Sequence, residues 1–313
     1  MKKPLLIIVG PTAVGKTEIS IEIAKRLDCE IVSSDSMQIY KYMDIGSAKP
    51  SKEEMQGVPH YLVDEIDPRT SFSAAQYQKL AFEYINDIHQ RGKLPMVVGG
   101  TGLYVNSIIY DVDFTSTVSN WDLRKQLEQE AKEFGNEYLH NKLKEVDQAS
   151  ADRIHPNNVK RVIRALEVFY ESGEKIKDFS QEPQKRPDFD YLFFGLIRDR
   201  DDLYDRINRR VDILMEKGLV EEVRHLTAMG LDEKDISMKG LGYKEIIKYI
   251  KGEYTYEEAV YTLKRDTRHY AKRQITWFKR YDDLKWINIG DYSSHEGVIN
   301  VIMEEVKGKF RKL

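Results

Sequence analysis

The sequence predicts an α/β protein. It has a phosphate-loop parallel-sheet core, an inserted all-helical domain and a helical C-terminal region. Three observations carry this reading. Residues 10–17 match a phosphate-loop motif between a strand-like and a helix-like run. Short apolar runs alternate with helical patterns over the first ~110 residues, the signature of a parallel sheet with crossover helices. From 117 to 190 the pattern becomes helical with no strand signal.

The motif reads Gly10-Pro11-Thr12-Ala13-Val14-Gly15-Lys16-Thr17. Leu5-Leu6-Ile7-Ile8-Val9 before it is an unbroken apolar run, as in a strand buried on both faces. Ile19, Ile23, Ala24 and Leu27 after it keep helical spacing. This is the strand–loop–helix setting in which glycines let backbone amides curl around an anion and the helix start adds positive potential. Lys16 supplies a full charge to the phosphates, and the Thr17 hydroxyl is a candidate ligand for Mg²⁺. A glycine-rich turn that merely starts a helix leaves Lys16 and Thr17 unexplained. The motif says which group is held, and ATP is only one candidate.

The next strand, Glu30-Ile31-Val32-Ser33, runs into Ser34-Asp35-Ser36, a polar cluster where open α/β sheets place ligands. If this strand lies beside the first, Asp35 faces the phosphate loop and can take a proton from an acceptor. The alternative is an Asx-turn or helix N-cap. Residues 73–91 form an amphipathic helix carrying Leu80, Tyr84, Ile85 and Ile88. Pro95-Met96-Val97-Val98 is a further strand. It ends in Gly99-Gly100-Thr101-Gly102-Leu103-Tyr104, a second glycine-rich turn opening a helix. The Thr101 hydroxyl can meet a phosphate or nucleotide, or simply cap the turn. No acid ends this strand, which weakens a motor-type NTPase with Mg²⁺ held by an aspartate there.

Helices are expected at 121–133, 137–146 and 157–172, and Pro183, Pro187 and Asp188 mark the exit of the insertion. Tyr191-Leu192-Phe193-Phe194-Gly195-Leu196-Ile197 returns to the sheet, so residues 1–116 and 191–313 form the core and 117–190 the insertion. A helix over 203–217, stopped by Gly218, sets Arg206 and Arg210 on one face. They suit a clamp on phosphate oxygens, or surface pairing with Asp202, Asp205 or Asp212. Two stretches are basic: 153–164, with Lys160, Arg161 and Arg164, and 264–281, with Lys272 and Arg273 beside Tyr270 and Trp277. Such stretches suit a nucleic-acid backbone and stacked bases, or solvated faces over aromatic core contacts. A strand candidate at 285–289 follows.

Composition narrows the class. The 313 residues leave room for about two domains. With 41 % apolar and 32 % charged residues the chain can bury a core and stay soluble. The single cysteine, Cys29, excludes a disulfide framework and a cysteine-built zinc site, and its strand-like setting predicts a buried thiol. No apolar run approaches the ~18 residues of a membrane span. Met1-Lys2-Lys3 and a short apolar stretch meet Gly10 before a cleavage region can form. A cytoplasmic monomer is expected.

Six segments then occur in order. They are residues 10–17; Ser34-Asp35-Ser36-Met37-Gln38-Ile39-Tyr40; Gly99-Gly100-Thr101-Gly102-Leu103-Tyr104; Pro156-Asn157-Asn158 with Arg161 and Arg164-Ala165-Leu166-Glu167; Gly240-Leu241-Gly242-Tyr243-Lys244-Glu245; and Thr267-Arg268 with Tyr270-Ala271-Lys272-Arg273-Gln274 and Thr276-Trp277. Nearly the whole chain thereby resembles the bacterial tRNA dimethylallyltransferases, or tRNA isopentenyltransferases. The resemblance implies that the loop grips dimethylallyl diphosphate with Mg²⁺, and that the prenyl group passes to N6 of adenosine 37, beside the anticodon of tRNA. It implies Asp35 as the base at N6, and Thr101 and Arg210 as groups on the diphosphate or flipped base; Arg209 is the alternative to Arg210. It implies tRNA contacts at Asp35, Ser36, Met37, Gln38, Thr101, Arg124, Lys160, Arg161, Val162, Ile163, Arg164, Gly242, Tyr243, Lys244, Lys272 and Arg273. Three other readings compete: a small-molecule kinase using ATP, an enzyme prenylating free AMP, and a nucleotide-gated RNA-binding protein. A small acceptor needs neither the insertion nor the basic 264–281 segment, and Asp35 is superfluous in a mere binder.

Overall fold

The computed structural model describes residues 2–111, 120–175 and 184–310. The elements run β1 Lys3–Val9, α1 Lys16–Leu27, β2 Cys29–Ser34, α2 Lys52–Met55, β3 His60–Tyr61, α3 Ala74–Gln90, β4 Leu94–Gly99, α4 Gly102–Ile109, α5 Trp121–Phe134, α6 Asn136–Val146, α7 Gln148–Arg153, α8 Val159–Ser172, β5 Phe189–Ile197, α9 Arg200–Glu216, α10 Leu219–Ala228, α11 Tyr243–Ile250, α12 Tyr256–Phe278, β6 Lys285–Asn288 and α13 His295–Lys309. The chain divides into two compact units, Met1–Ile109 with Arg186–Leu313, and Tyr110–Lys185. The first boundary expected for the insertion, residue 117, and the exit proline Pro183 lie outside the described residues.

The larger unit is built on a six-stranded sheet in the order β3-β2-β4-β1-β5-β6, and every pairing is parallel. Leu6, Ile8, Met96, Val98, Leu192 and Phe194 join the core cluster that includes Ile19 and Ile23 of α1 and Val298 and Ile302 of α13. The alternate residues Leu5, Ile7, Val97 and Phe193, also buried, face the other way. Cys29 is buried as expected, and burial pushes its thiol up to about 12.

One expectation is corrected here. β2 is not beside β1, because β4 lies between them. The crossover after β1 skips one position, and the later β4 fills it. The carboxyl ends still align, since Ser34 pairs with Gly99 and Gly99 with Val9. Two strand spacings put the segment after β2 about 10 Å from the loop after β1. That leaves room for a bound molecule between them. The two-residue strand β3 carries no periodicity and went unforeseen, as did the short helices α2 and α7.

The smaller unit has its own core of Leu127, Leu139, Leu143, Val162, Ile163 and Leu166. The helices expected at 121–133, 137–146 and 157–172 are present as α5, α6 and α8. Glu167, 0 % exposed, accepts from the Asn120 amide at 2.9 Å and from Arg124 Nε at 2.8 Å, and it also pairs with Arg164.

Candidate active site

The site is built from three loops at the carboxyl edge of the sheet and from two helices, α9 and α12. After β1, Ala13 takes a φ of 63° and Gly15 a φ of 111°, so the chain curls before α1 starts. Lys16 Nζ donates to the carbonyls of Gly10 and Pro11, each at 2.9 Å. Burial pushes its ammonium down to about 8; Asp35 opposes that shift and Arg210 adds to it. The Thr17 side of the loop is exposed.

After β2, Asp35 Oδ1 accepts from the amides of Met37 at 2.9 Å and Gln38 at 3.3 Å. The Asx-turn that competes with a chemical role is therefore present. It uses one carboxylate oxygen, Oδ1, so the turn does not by itself exclude a chemical role for the other. The Gln38 side-chain amide donates to the carbonyls of Ser47 and Ala48, at 3.4 and 3.3 Å. After β4, Thr101 Oγ1 accepts from the Ser36 amide, and Tyr270 of α12 shares a hydrogen bond with the same hydroxyl. Burial and the charge of Asp35 raise the Tyr270 phenol, and the same two influences, with Tyr40, raise that of Tyr104. Asp35 thus stands among tyrosines as well as cations.

Helix α9 faces the loop with arginines. Arg206 Nε donates to the Ala13 carbonyl at 2.9 Å. Arg210 is sensed by both Lys16 and Asp35, and burial lowers its guanidinium while Asp35 and Glu54 oppose that. Arg209 is exposed, with a bond of 3.5 Å to the Asp205 carbonyl of its own helix. Of the two arginines, Arg210 is the one on the side of Lys16 and Asp35. Surface pairing does not account for the pair Arg206 and Arg210, because Asp202 binds Arg198 and Asp212 binds Lys264.

Two residues beside the loop were missed. Arg198 Nε donates to the Val14 carbonyl at 2.9 Å. It directly follows β5, and the rule that ligands sit beyond strand carboxyl ends would have found it. Gln274, inside the last of the six segments but given no role there, bonds to the loop through the Thr12 amide. No single-sequence signal marks it.

Several residues expected to contact tRNA have partners or positions within the protein itself. Val162 and Ile163 are 0 % and 4 % exposed and form the core of the smaller unit, so their side chains cannot meet RNA. Arg164 and Arg124 hold the buried Glu167 instead of projecting freely. Tyr243 is 0 % exposed and its hydroxyl donates to Glu222 Oε1 at 2.9 Å. Lys244 lies 3.2 Å from Glu245 and 3.5 Å from Asp266. Gly242 has a φ of +95°, which suits glycine at the start of α11. Tyr270 and Trp277 turn inward, Tyr270 to Thr101 and Trp277 against Gly102, which leaves them poor platforms for a base. Lys160, Arg161, Lys272 and Arg273 are exposed as expected.

A carboxylate facing a cationic phosphate loop across the carboxyl edge of a parallel sheet defines a phosphate-loop transferase. Comparison with known proteins narrows this. Residues 38–281 match the family model for IPP transferase. A tRNA dimethylallyltransferase of Alkaliphilus oremlandii is 58 % identical over the full length of both chains. That of Clostridioides difficile is 53 % identical, covering 99 % of this chain and 100 % of its own. The crystal structure of the full-length tRNA isopentenylpyrophosphate transferase from Bacillus halodurans has a TM-score of 0.73 at 44 % identity, with 99 % of each chain covered. A eukaryotic dimethylallyltransferase acting on tRNA has a TM-score of 0.83 at 27 % identity, covering 98 % of this chain and 80 % of its own. The chain belongs to the IPP transferase family.

Proposed function

We propose that this enzyme transfers the dimethylallyl group of dimethylallyl diphosphate to N6 of adenosine 37 in tRNA, forming N6-(dimethylallyl)adenosine and releasing diphosphate. The observation that carries the reading is the placement of Asp35. Its carboxylate is held by the Asx-turn, within electrostatic reach of Lys16 and Arg210, opposite the phosphate loop. A kinase acting on a small acceptor has no use for the outward-facing Lys160, Arg161, Lys272 and Arg273.

In the reaction the C1–O bond of the donor breaks and a C1–N6 bond forms. The adenine N6 is a weak nucleophile because its lone pair is delocalised into the ring. The free oxygen of Asp35 accepts the N6 proton as the new bond forms. Charge develops on the departing diphosphate, where the loop amides, Lys16 and Arg210 meet it. Thr101 holds the Asp35 segment through the Ser36 amide. The target base has to leave its stack to reach this position, and Lys160, Arg161, Lys272 and Arg273 supply charges for the RNA backbone.

The donor set fits Mg²⁺. Among the described residues no group of three or more His, Cys, Asp or Glu side chains is placed to hold a metal. Mg²⁺ bound to a diphosphate needs only one or two protein oxygens, the rest coming from phosphate and water. The exposed Thr17 hydroxyl would hold it, and the ion would neutralise charge on the leaving diphosphate.

The test incubates the enzyme with unmodified tRNA, Mg²⁺ and labelled dimethylallyl diphosphate, with labelled ATP in a parallel reaction. Label is expected in tRNA from the prenyl donor only. Label moving from ATP and not from the prenyl donor overturns the reading in favour of a kinase.

A further inference from the structure

Helix α12 carries exposed Lys272 and Arg273 on its outer side and reaches into the site with its inner side. Among these inner groups is the polar Gln274, 6 % exposed. Its Oε1 accepts from the Thr12 amide of the phosphate loop at 2.9 Å, and its Nε2 donates to the Gly100 carbonyl at 2.9 Å. These two partners belong to the loops after β1 and β4, which are neighbouring strands. One partner is a donor and the other an acceptor, so the orientation of the amide is dictated by its surroundings.

We infer that Gln274 is a positioning residue for the donor site: it locks the phosphate loop to the second glycine turn and so sets where the loop amides and Thr101 converge. This rests on the function proposed above for the reaction but not for the anion bound. Only a side chain with one acceptor and one donor at this length satisfies both loops. A Cβ on Gly100 would stand 2.2 Å from Gln274 Nε2, and a Cβ on Gly102 would stand 2.2 Å from Trp277 Cδ1. Glycines at both positions let α12 press against the turn. Thr12 spends its amide on Gln274, so anion binding is left to the other amides of the loop, whose directions depend on this anchor. Gln274 touches neither the donor nor the acceptor in this scheme. Misplacing a reacting group by about 1 Å costs roughly 10²-fold in rate.

The experiment compares Gln274→Met, Gln274→Glu and Gly100→Ala with the wild type. Readouts are kcat and KM for dimethylallyl diphosphate, the Kd for inorganic diphosphate, and the Kd for tRNA. Gln274→Met keeps the length and loses both bonds. It is expected to raise the KM for the donor and the Kd for inorganic diphosphate about tenfold and to lower kcat/KM about 10²-fold, with tRNA affinity unchanged. Gly100→Ala displaces the Gln274 amide and is expected to mimic it, and the double substitution should add little. Gln274→Glu gives a graded test. A protonated carboxyl keeps both bonds, whereas a carboxylate faces the Gly100 carbonyl with no proton to donate. Its kcat/KM relative to wild type should therefore fall as pH rises between about 6 and about 9, the range in which a buried carboxyl ionises. Gln274→Met with wild-type KM and diphosphate Kd overturns the inference, as does a Gln274→Glu ratio that ignores pH. Should the wild type fail to prenylate tRNA, the function reading falls, while the diphosphate Kd still decides the role of Gln274.

Discussion

Thr101 Oγ1 accepts the Ser36 amide at 3.0 Å, which ties the turn after β4 to the segment carrying Asp35. The Thr101 amide returns a bond to the Ser34 carbonyl at 3.0 Å. The side-chain bond is the one a substitution can remove. Thr101→Ser keeps the oxygen and should retain most activity. Thr101→Ala leaves the partly buried Ser36 amide without its partner, at about 1 kcal/mol. It should lower kcat by roughly 10-fold or more through loss of Asp35 placement. Steady-state kinetics on the two variants checks this, and equal activity would remove Thr101 from the site.

Asp35 both closes a turn and faces the loop, and one pair of variants separates the two roles. Asn at position 35 can still accept from Met37 and Gln38 but cannot take up a proton. Asp35→Asn is expected to keep the stability of the wild type while turnover falls about 10²–10⁴-fold. Asp35→Ala should lose both turnover and some stability. Thermal melts beside single-turnover rates give the answer. An active Asp35→Asn would leave the carboxylate with only its turn.

The contrast between Arg209 and Arg210 predicts opposite outcomes for adjacent residues. Arg210→Gln removes a charge that Lys16 and Asp35 both sense. It should cost about 10²-fold or more in kcat/KM, the scale of a lost donor to developing negative charge. Arg209→Gln, on the exposed side, should change kcat/KM less than about threefold, in keeping with surface substitutions generally. Reversal of that order would mean that the donor lies on the other face of α9.

The Lys16 ammonium, pushed down to about 8 by burial, makes anion binding pH-dependent. Below about 8 the group is charged in the free enzyme; above it the charge is lost. Affinity for inorganic diphosphate should therefore be greatest below this pH and weaken above it, by up to about tenfold per pH unit for one linked proton. Lys16→Arg should bind more weakly but lose this dependence, because a guanidinium stays charged. Calorimetric titrations at several pH values test it; a wild-type affinity that holds constant through the transition would exclude Lys16 as the linked group.

The exposed basic residues predict salt effects, and the paired ones predict stability effects. Lys160→Ala with Arg161→Ala, and separately Lys272→Ala with Arg273→Ala, should flatten the salt dependence of tRNA binding. The slope should change by about 0.7 to 0.9 log units for each phosphate that is no longer neutralised. Arg164→Ala should act differently, because it strips one partner from the buried Glu167. The expected result is a loss of about 1–3 kcal/mol in stability. Binding isotherms across a salt series and thermal melts distinguish the two kinds of arginine. A salt slope unchanged in both double variants would reduce these residues to solvated faces.

The sequence by itself determined the parallel strands at β1, β2, β4 and β5, the phosphate loop and the helical segments of the smaller unit, because each rests on local periodicity and local turn chemistry. It also placed Asp35 and Thr101 at strand ends, where a fold-level rule locates ligands. What the tertiary structure alone decided is who meets whom. The insertion of β4 between β1 and β2 follows from crossover connections whose partners are distant in sequence. The inward turn of Tyr243 and Tyr270 and the capture of Arg164 by Glu167 depend on which face of a helix finds a neighbour. The bond from Gln274 to Thr12 spans 262 residues of chain. Periodicity reports the local twist of a segment and carries no information about partners so far apart, so the positioning of the loop became legible only once the chain had folded back upon it.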